Sequence, residues 1–374
     1  MRKSTLAAGA SVLALAATLL TVPAQADDRA REPEGVAGGL IGPLTLAVGN
    51  KSDVYVTQTF ANTLSKVTSR GEVSTLHQLP LSPEEGELVG VAYDRGATYH
   101  IETDYRGEAP TSHVVKTAKN GTRSVVSEDL WAYEMAHNPD ADDTYGFRNL
   151  GAQCAADLAA FEEAIGLPLF SEYQGIVESH GYQLDVHNGT IYVADAAANA
   201  ILEINERTGR VTRTHVLPAT TITFTAELKA WADGQFEGAA LPDCVVGKRY
   251  TPEPVPTDVE VGWDGALYVT TLEGGAGEAL PLSKVYRVSQ RGWFLELAGG
   301  MHGATGLALM ESGHIVVAEM FGGEVSVIRP LHRRASTLFT ADSPADVEVD
   351  GRTIYATTGA MGEGQLVRYH HRGW

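Results

Sequence analysis

The sequence is poor in cysteine and in basic residues, and both shortages narrow the classes of protein it fits. Its 374 residues include 2 cysteines, and its 28 Lys and Arg stand against 47 Asp and Glu, for a formal net charge of −19. An acidic exterior argues against nucleic acid and against anionic membrane surfaces, because both carry negative charge. The composition suits a soluble exported protein, including one that holds cations. We expect a monomer whose partner is a small molecule or a protein.

The best-known catalytic signatures are also missing. The chain has no Gly-x-Ser-x-Gly elbow, no His-Glu-x-x-His and no Cys-x-x-Cys. The glycines of residues 274–277 lie between predicted strands, so they do not form a phosphate-binding loop before a helix. Motifs alone therefore assign no reaction, and no cofactor is required.

Long apolar runs are scarce, and the single candidate lies at the N-terminus. Residues 6–22 are apolar, follow the basic pair Arg2-Lys3 and precede Ala24-Gln25-Ala26. This order predicts a secretory signal peptide over residues 1–26 and a secreted mature chain over residues 27–374. Removing the two basic residues takes the net charge from −19 to −21. No cysteine follows the cleavage site, so a lipid anchor is not expected.

What the sequence does contain is a repeat. Val36-Ala-Gly-Gly39 and the apolar run after it recur as Leu297-Ala-Gly-Gly300 and its following run. Six short apolar strands share one pattern, and each is followed by a second and a third strand. The six are residues 43–48, 88–93, 181–186, 256–261, 304–309 and 344–349. Four-stranded units repeated radially form a β-propeller.

The sixth repeat ends at the C-terminus without a fourth strand. Residues 36–39 precede the first repeat as residues 297–300 precede the fifth, so the N-terminal segment is expected to supply the missing strand. The prediction is an all-β, six-bladed β-propeller with four-stranded blades, forming one domain over residues 27–374. A β-sandwich is the alternative, but it does not account for the split sixth repeat.

Two insertions interrupt the repeats, at residues 127–179 and 217–255, and a smaller one spans residues 272–282. Because the connections between blades and the loops between second and third strands emerge on one face, all three insertions are expected there. Such loops on a rigid scaffold often carry function. Short helices are predicted in them, the first capped by Ser127.

The two cysteines fall in different insertions. Cys154 lies in the first and Cys244 in the second. In an oxidising compartment a disulfide between them would staple the two insertions together. Two unpaired thiols are the alternative.

Polar residues alternate along the six inner strands with an apolar set that is expected to pack between blades, namely Leu46, Val91, Leu184, Val259, Leu307 and Val347. Side chains at alternate positions of a strand face the same side, so the polar set is expected to line a central channel. Its polar and acidic members are Gln183, Asp185, Asp258, Glu260, Asp346 and Glu348. Five carboxylates together suit Ca²⁺ or another divalent ion. Alternatively, these side chains accept backbone hydrogen bonds.

A second polar set is expected at the mouth of the channel, on the face that carries the insertions. It comprises Glu102, Glu178, His180, Asp195 and Glu319. Glu102, Asp195 and Glu319 are candidate metal ligands, and His180 with them is a candidate acid or base. A hydrated mouth without a metal remains the alternative, because the spacing matches no strong metal motif.

Several motifs resemble those of the ScyD/ScyE family of exported propellers. They are Leu130-Trp-Ala-Tyr-Glu134, Asn138-Pro-Asp140, Gly175-Ile-Val-Glu-Ser-His180, residues 192–201, Leu241-Pro-Asp-Cys-Val-Val246 and residues 254–261. The resemblance covers most of the mature chain and implies a propeller similar to the NHL and gluconolactonase-like six-bladed groups. It carries over no catalytic residues. The chain lacks the Glu, Asn, Asn, Asp metal set of the lactonases at matching channel positions.

Three functions follow as hypotheses. The first is an exported propeller that binds a ligand or a protein partner on its elaborated face. The second is a metal-dependent hydrolase or lyase of the lactonase-like type. The third is a cell-surface structural protein whose acidic charge keeps it soluble.

Overall fold

The structure is a computed structural model that describes residues 32–236 and 238–371. The signal peptide expected at residues 1–26 lies outside the described residues. Within them the chain forms seven four-stranded antiparallel sheets and four α-helices. None of these helices is long and apolar enough to cross a membrane.

Six of the sheets follow one another along the chain, beginning after a strand β1 (Glu34–Ile41). The first comprises β2 (Pro43–Val48), β3 (Val54–Gln58), β4 (Thr63–Val67) and β5 (Val73–Gln78). The second comprises β6 (Gly86–Asp94), β7 (Ala97–Asp104), β8 (Thr111–Thr117) and β9 (Arg123–Val125). In the first insertion come α1 (Leu130–His137), β10 (Thr144–Phe147), α2 (Ala152–Ile165) and β11 (Tyr173–Gln174).

The same order continues through the second half of the chain. The third sheet comprises β12 (Gly181–His187), β13 (Thr190–Asp195), β14 (Ala200–Asn205) and β15 (Val211–Val216). In the second insertion come β16 (Ile222–Thr223), α3 (Ala226–Gln235) and β17 (Arg249–Thr251). The fourth sheet comprises β18 (Pro256–Val261), β19 (Leu267–Thr271), β20 (Ser283–Val288) and β21 (Phe294–Met301), with α4 (Gly274–Ala279) between β19 and β20.

The last two sheets differ in how they are completed. The fifth comprises β22 (Ala304–Leu309), β23 (Ile315–Glu319), β24 (Glu324–Ile328) and β25 (Ala335–Thr340). The sixth comprises β26 (Val347–Asp350), β27 (Thr353–Thr358) and β28 (Glu363–His370), and its fourth strand is β1. β1 pairs antiparallel with β28, so Glu34 lies opposite Arg368 and their side chains form an ion pair.

Apolar side chains fill the space between each sheet and the next. One residue of each first strand is at most 2% exposed, namely Leu46, Val91, Leu184, Val259, Leu307 and Val347. Six separate apolar clusters each join two successive sheets, and one of them joins the sixth sheet to the first. Burying one such side chain contributes about 1.5–3 kcal/mol, so these clusters hold the sheets face to face.

Hydrogen bonds near the first strands join the same sheets. Asp258 accepts from the amide of Leu307 in the fifth sheet at 2.7 Å, and Asp346 accepts from that of Leu46 in the first sheet at 2.7 Å. A Cβ on Gly306 would lie 2.3 Å from the Asp346 carboxylate, so only glycine leaves room for it. Each first strand contacts the first strand of the next sheet, and β26 contacts β2.

The insertions build a second, smaller body that we call the cap. β10 pairs with β11 and β17, and β17 pairs with β16, so strands from both insertions form one sheet that the sequence does not predict. Its apolar cluster also includes Ala276 and Leu282 from the smaller insertion. The three insertions therefore pack together, in agreement with the expectation that all three lie on one face.

The predicted disulfide is confirmed. Cys154 on α2 is bonded to Cys244 of the second insertion, 90 residues away, and their Cα atoms are 5.8 Å apart. The bond lies at the cap's apolar cluster and joins the two insertions covalently.

The N-cap predicted for α1 is wrong. The carboxylate of Asp129 accepts from the amide of Trp131, while the Ser127 hydroxyl accepts from the amide of Val114 in β8. A helix N-cap needs an acceptor facing the first turn, and here tertiary pairing takes the serine away from it.

The Gln183 side chain links inner strands of different sheets, and removing its hydrogen bonds should destabilise the fold. Its Oε1 accepts from the amide of Val91 at 2.9 Å, and its Nε2 donates to Asp346 at 2.9 Å. Gln183→Leu removes both bonds and leaves buried polar groups unpaired. We expect it to lower the free energy of unfolding by about 1–3 kcal/mol in urea denaturation.

The matched control is Gln290→Leu, because the Gln290 side chain is exposed. We expect this variant to change the free energy of unfolding by less than about 0.5 kcal/mol. Equal effects of the two substitutions would show that the Gln183 bonds contribute nothing to stability.

Candidate functional site

The carboxylates predicted for the channel are held mainly by backbone amides. Asp258 accepts from Val259 and Leu307, and Asp346 from Val347 and Leu46. Asp185 accepts from the amide of Val186 at 2.6 Å and from that of Val261 in the fourth sheet at 3.0 Å. These oxygens already accept hydrogen bonds, in agreement with the alternative prediction that the channel carboxylates accept from the backbone.

Negative charge nevertheless accumulates in the channel. Burial, followed by the charges of Asp185 and Glu348, raises the pKa of Glu260 well above its usual range. Burial raises the pKa of Asp258 to about 7, although two amides favour its charged form. Because the dominant influences are burial and other carboxylates, the channel disfavours anions.

His180 forms the accessible part of the mouth. Its Nε2 lies 2.7 Å from Glu87 Oε2, which also accepts from the Tyr105 hydroxyl at 3.3 Å. Burial lowers the pKa of His180, but the hydrogen bond and charge of Glu87 outweigh it and the pKa is raised. Its side chain is 36% exposed, so it can meet a ligand. Glu178, two residues earlier, is exposed as well.

Asp195 and Glu319 lie at equivalent ends of second strands and hold the turns before the first strands. Asp195 accepts from the Ser179 hydroxyl at 2.6 Å and from the amide of His180 at 2.7 Å. Glu319 accepts from the amide of His302 at 2.8 Å. Both side chains are buried, at 1% and 4% exposure. The carboxylate of Asp195 is therefore engaged at the third sheet, and that of Glu319 at the fifth.

Glu102 points away from the mouth residues. It lies opposite Leu88 in the pairing of β6 with β7, whereas Glu87 lies opposite Thr103. Neighbouring positions of a strand face opposite sides of the sheet, so Glu102 and Glu87 project from different faces of the second sheet. Among the described residues, Glu102 is grouped with His77 and His100, and not with Asp195 or Glu319.

His77, His100 and Glu102 form a cluster that the sequence analysis missed. Their ligand atoms all lie within 4.8 Å of one another, with Glu102 Oε1 2.7 Å from His100 Nε2 and 3.1 Å from His77 Nε2. Arg123 also binds this carboxylate. His100 and Glu102 are two residues apart on β7 and so share a face, a pattern from which their proximity could have been predicted. His77 comes from the neighbouring sheet, so its position near them could not.

Burial, then the charge of Arg123, lowers the pKa of His77. Neutral imidazole is the form that binds metals. His113 lies directly opposite Glu102 on β8. The two line a cavity of about 260 Å³ together with Arg106. The cluster therefore offers two imidazoles and a carboxylate beside open space.

The cap holds a cavity with several aromatic side chains in its wall. Its volume is about 220 Å³. The aromatic residues that line it are Phe170, Tyr173, Phe224, Trp231, Phe236 and Tyr250. A cavity of about 150 Å³ lined by apolar side chains is large enough to bind benzene, so this one has room for a small aromatic molecule.

One carboxylate reaches the cavity, that of Glu253. It accepts from the Tyr173 hydroxyl at 2.9 Å. Burial, followed by the charges of Asp140 and Glu178, raises its pKa. The cavity therefore combines an aromatic wall with an acid whose surroundings are also acidic, and this combination favours a cationic group.

No protein-family model matches the chain, and no curated protein matches it. Solved structures do resemble it in fold. A protein from Thermus thermophilus assigned as an oxidoreductase (glucose dehydrogenase) has 15% identity and a TM-score of 0.55, covering 90% of this chain and 99% of the other.

Two further structures resemble the chain to a similar degree. The PQQ-bound aldose sugar dehydrogenase of Streptomyces coelicolor has 13% identity and a TM-score of 0.51, covering 89% of this chain and 95% of the other. A protein of unknown function from Bacteroides thetaiotaomicron has 12% identity and a TM-score of 0.50, covering 90% and 75%. These neighbours are β-propellers, and the chain shares their fold.

Charge in the channel should make stability depend on pH. The pKa of Glu260 is raised in the folded chain, so its contribution is favourable while it is protonated and is lost as pH rises above about 4.3, its value when unfolded. Glu260→Gln should therefore raise the free energy of unfolding at pH 8 and leave it nearly unchanged at pH 4. Urea denaturation at the two pH values measures this.

Glu311→Gln is the control, because Glu311 is exposed outside the channel. It should leave the pH dependence as in the wild type. A Glu260→Gln protein that loses stability at pH 8 would mean that the carboxylate is held by a favourable partner.

Proposed function

We propose that the chain is a secreted, monomeric, six-bladed propeller that binds a small organic cation in its cap. Support for six blades in a closed ring comes from the six apolar clusters and from the pairing of β1 with β28. Support for secretion comes from the signal-like residues 1–26 and from the disulfide. The motifs in residues 175–201 and 241–261 support membership of the ScyD/ScyE family.

The class of ligand is inferred from the cap cavity, which has Glu253 in its wall. Aromatic faces attract cations, and a desolvated carboxylate pairs strongly with one. The charges of Asp140 and Glu178, which act on Glu253, add to this attraction. A primary amine on a short apolar or aromatic body fits both features, whereas an anion is repelled. Nucleic acid is excluded as a ligand on the same ground.

The mouth residues complete the proposed binding face. Glu178 acts electrostatically on both Glu253 and His180, so the cap cavity and the mouth share one acidic environment. We assign His180 and Glu178 as ligand contacts outside the cavity, Asp195 as the residue that holds the turn before β12, and Glu319 as the residue that holds the turn before β22. The channel residues Gln183, Asp185, Asp258, Glu260, Asp346 and Glu348 belong to the scaffold.

The test uses three probes that differ mainly in charge: 2-phenylethylamine, 2-phenylethanol and 3-phenylpropionate. Isothermal titration of the mature protein should show the amine binding most tightly and the carboxylate not at all. Glu253→Gln keeps an acceptor for Tyr173 but removes the charge, so it should weaken binding of the amine by about 10-fold, or 1.4 kcal/mol. Binding of the alcohol should not change.

Glu163→Gln is the matched control, because Glu163 is exposed on α2 and does not line the cavity. It should bind the amine as the wild type does. Equal affinity for the three probes, or no binding of any, would refute the cationic ligand and favour the structural role at the cell surface.

A second candidate function, a metal-dependent hydrolase or lyase, is favoured by the cluster of His77, His100 and Glu102. Two imidazoles and one carboxylate are a common ligand set for catalytic zinc, which leaves a position open for water. The cavity beside Glu102 and His113 would admit a substrate. The structural likeness, at 13–15% identity, transfers neither dehydrogenase activity nor PQQ.

Arg123 and a metal would compete for the carboxylate of Glu102, and this competition gives the test. We expect Zn²⁺ to bind the wild type weakly and to bind Arg123→Met at least 10-fold more tightly in competition with a chromogenic chelator. His100→Ala should abolish binding in either background. If neither protein binds Zn²⁺, the cluster is an ion-pair network and the metal-dependent enzyme is excluded at this position.

A further inference from the structure

Helix α1 buries a carboxylate that accepts no hydrogen bond from the described residues. Glu134 is 1% exposed, and neither Oε1 nor Oε2 has a hydrogen-bond partner. The backbone amide of Glu178 acts on Glu134 and lowers its pKa, but it does not meet the geometry of a hydrogen bond to either oxygen. Buried carboxylates are normally paired or bound to a metal, so an unpaired one points to a ligand outside the chain.

Two more acceptor oxygens follow within six residues. Asn138 Oδ1 and Asp140 Oδ1 are buried and also lack donors. The other atoms of both side chains are engaged: Asn138 Nδ2 donates to the carbonyl of Gly175 at 2.9 Å, and Asp140 Oδ2 accepts from Tyr145 and Asn199. The side chains are therefore fixed in position, with one oxygen each left over.

The segment that begins at Gly175 brings these residues together. A Cβ on Gly175 would lie 2.1 Å from Asp140 Oδ1, so this glycine packs directly against that oxygen. Three residues later, the amide of Glu178 approaches Glu134. One short segment thus contacts Asn138 and Asp140 and brings an amide close to Glu134.

The surrounding charges are negative. Burial, then the charges of Asp195 and Asp140, raises the pKa of Glu134 to about 8. No basic side chain contributes to the shift of Glu134 or of Asp140. Trp131, also on α1, carries a buried donor without a partner, but one N–H does not satisfy four acceptor oxygens.

We propose that Glu134, Asn138 and Asp140 bind a hard divalent cation, with Ca²⁺ as the best match. The available atoms are all carboxylate or amide oxygens, which are the ligands that Ca²⁺ prefers, and Ca²⁺ tolerates irregular geometry. Zinc prefers nitrogen and sulfur donors, which are absent from this set. The channel aspartates Asp185, Asp258 and Asp346 differ from this set, because backbone amides already donate to them.

The site would tie the first insertion to the mouth. α1 lies on one side, and residues 175–180 on the other lead directly to His180 and β12. A bound cation would neutralise the acids beneath this segment and hold it against the third sheet. None of the three proposed ligands lines the cap cavity, although the charge of Asp140 also acts on Glu253 there, so calcium binding is measured separately from amine binding.

The experiment uses the mature protein stripped with EGTA and titrated with CaCl₂ by isothermal calorimetry. We expect one Ca²⁺ per chain in the wild type and at least 10-fold weaker binding in Glu134→Gln and in Asp140→Asn. A 100-fold excess of Ca²⁺ over its Kd should raise the melting temperature of the wild type by about 5 °C. Glu163→Gln should behave as the wild type.

Folding of the variants is checked in EGTA by circular dichroism. Glu134→Gln removes a buried charge, so it should melt at or above the wild-type temperature when no cation is present. No binding of Ca²⁺ to the wild type would overturn the proposal and identify Glu134 as a protonated or hydrated acid. Equal binding to the wild type and to a folded Glu134→Gln protein would also overturn it, because the cation would then bind elsewhere.

Discussion

Buried carboxylates without basic partners are the constraint on which this structure depends. In the channel the constraint is met by the backbone: the oxygens of Asp258 and Asp346 accept amides from their own strands and from the neighbouring sheets. The same bonds therefore satisfy the acids and join the sheets. Beside α1 the amide of Glu178 acts on Glu134 without forming such a bond, and neither carboxylate oxygen has a hydrogen-bond partner among the described residues. The same chemical group thus acts as scaffold in one place and as a candidate binding site in the other.

Asn199 connects the propeller to the cap. It is fully buried in the turn between β13 and β14, donates to Asp140 of the first insertion and accepts from the amide of Val255 in the second. Together with the disulfide, it fixes both insertions relative to the third sheet. A cap held in this way keeps its cavity formed before a ligand arrives, and a preformed site loses less entropy on binding.

Alternation along strands was enough to predict the buried set that includes Leu46, Val259 and Val347, because a two-residue period determines which face is covered. The cysteine positions likewise predicted the disulfide. The cap sheet was not predictable, since β11 and β16 have two residues each and carry no period. His77 and His100 lie on different sheets, and Glu134 is unpaired only because of what packs around it. Such features depend on tertiary contacts, which a linear pattern does not contain.

The contact between Gln183 and Asp346 limits where a ligand can act. Gln183 belongs to the third sheet and Asp346 to the sixth, so their bond crosses the space between the inner strands. A molecule that entered from the mouth would therefore meet the joined polar side chains of Gln183 and Asp346. Acids line the approach and raise one another's pKa, which disfavours anions throughout. A cationic ligand of the kind proposed would therefore be recognised in the cap, where aromatic residues and Glu253 line the cavity, and not among the channel carboxylates.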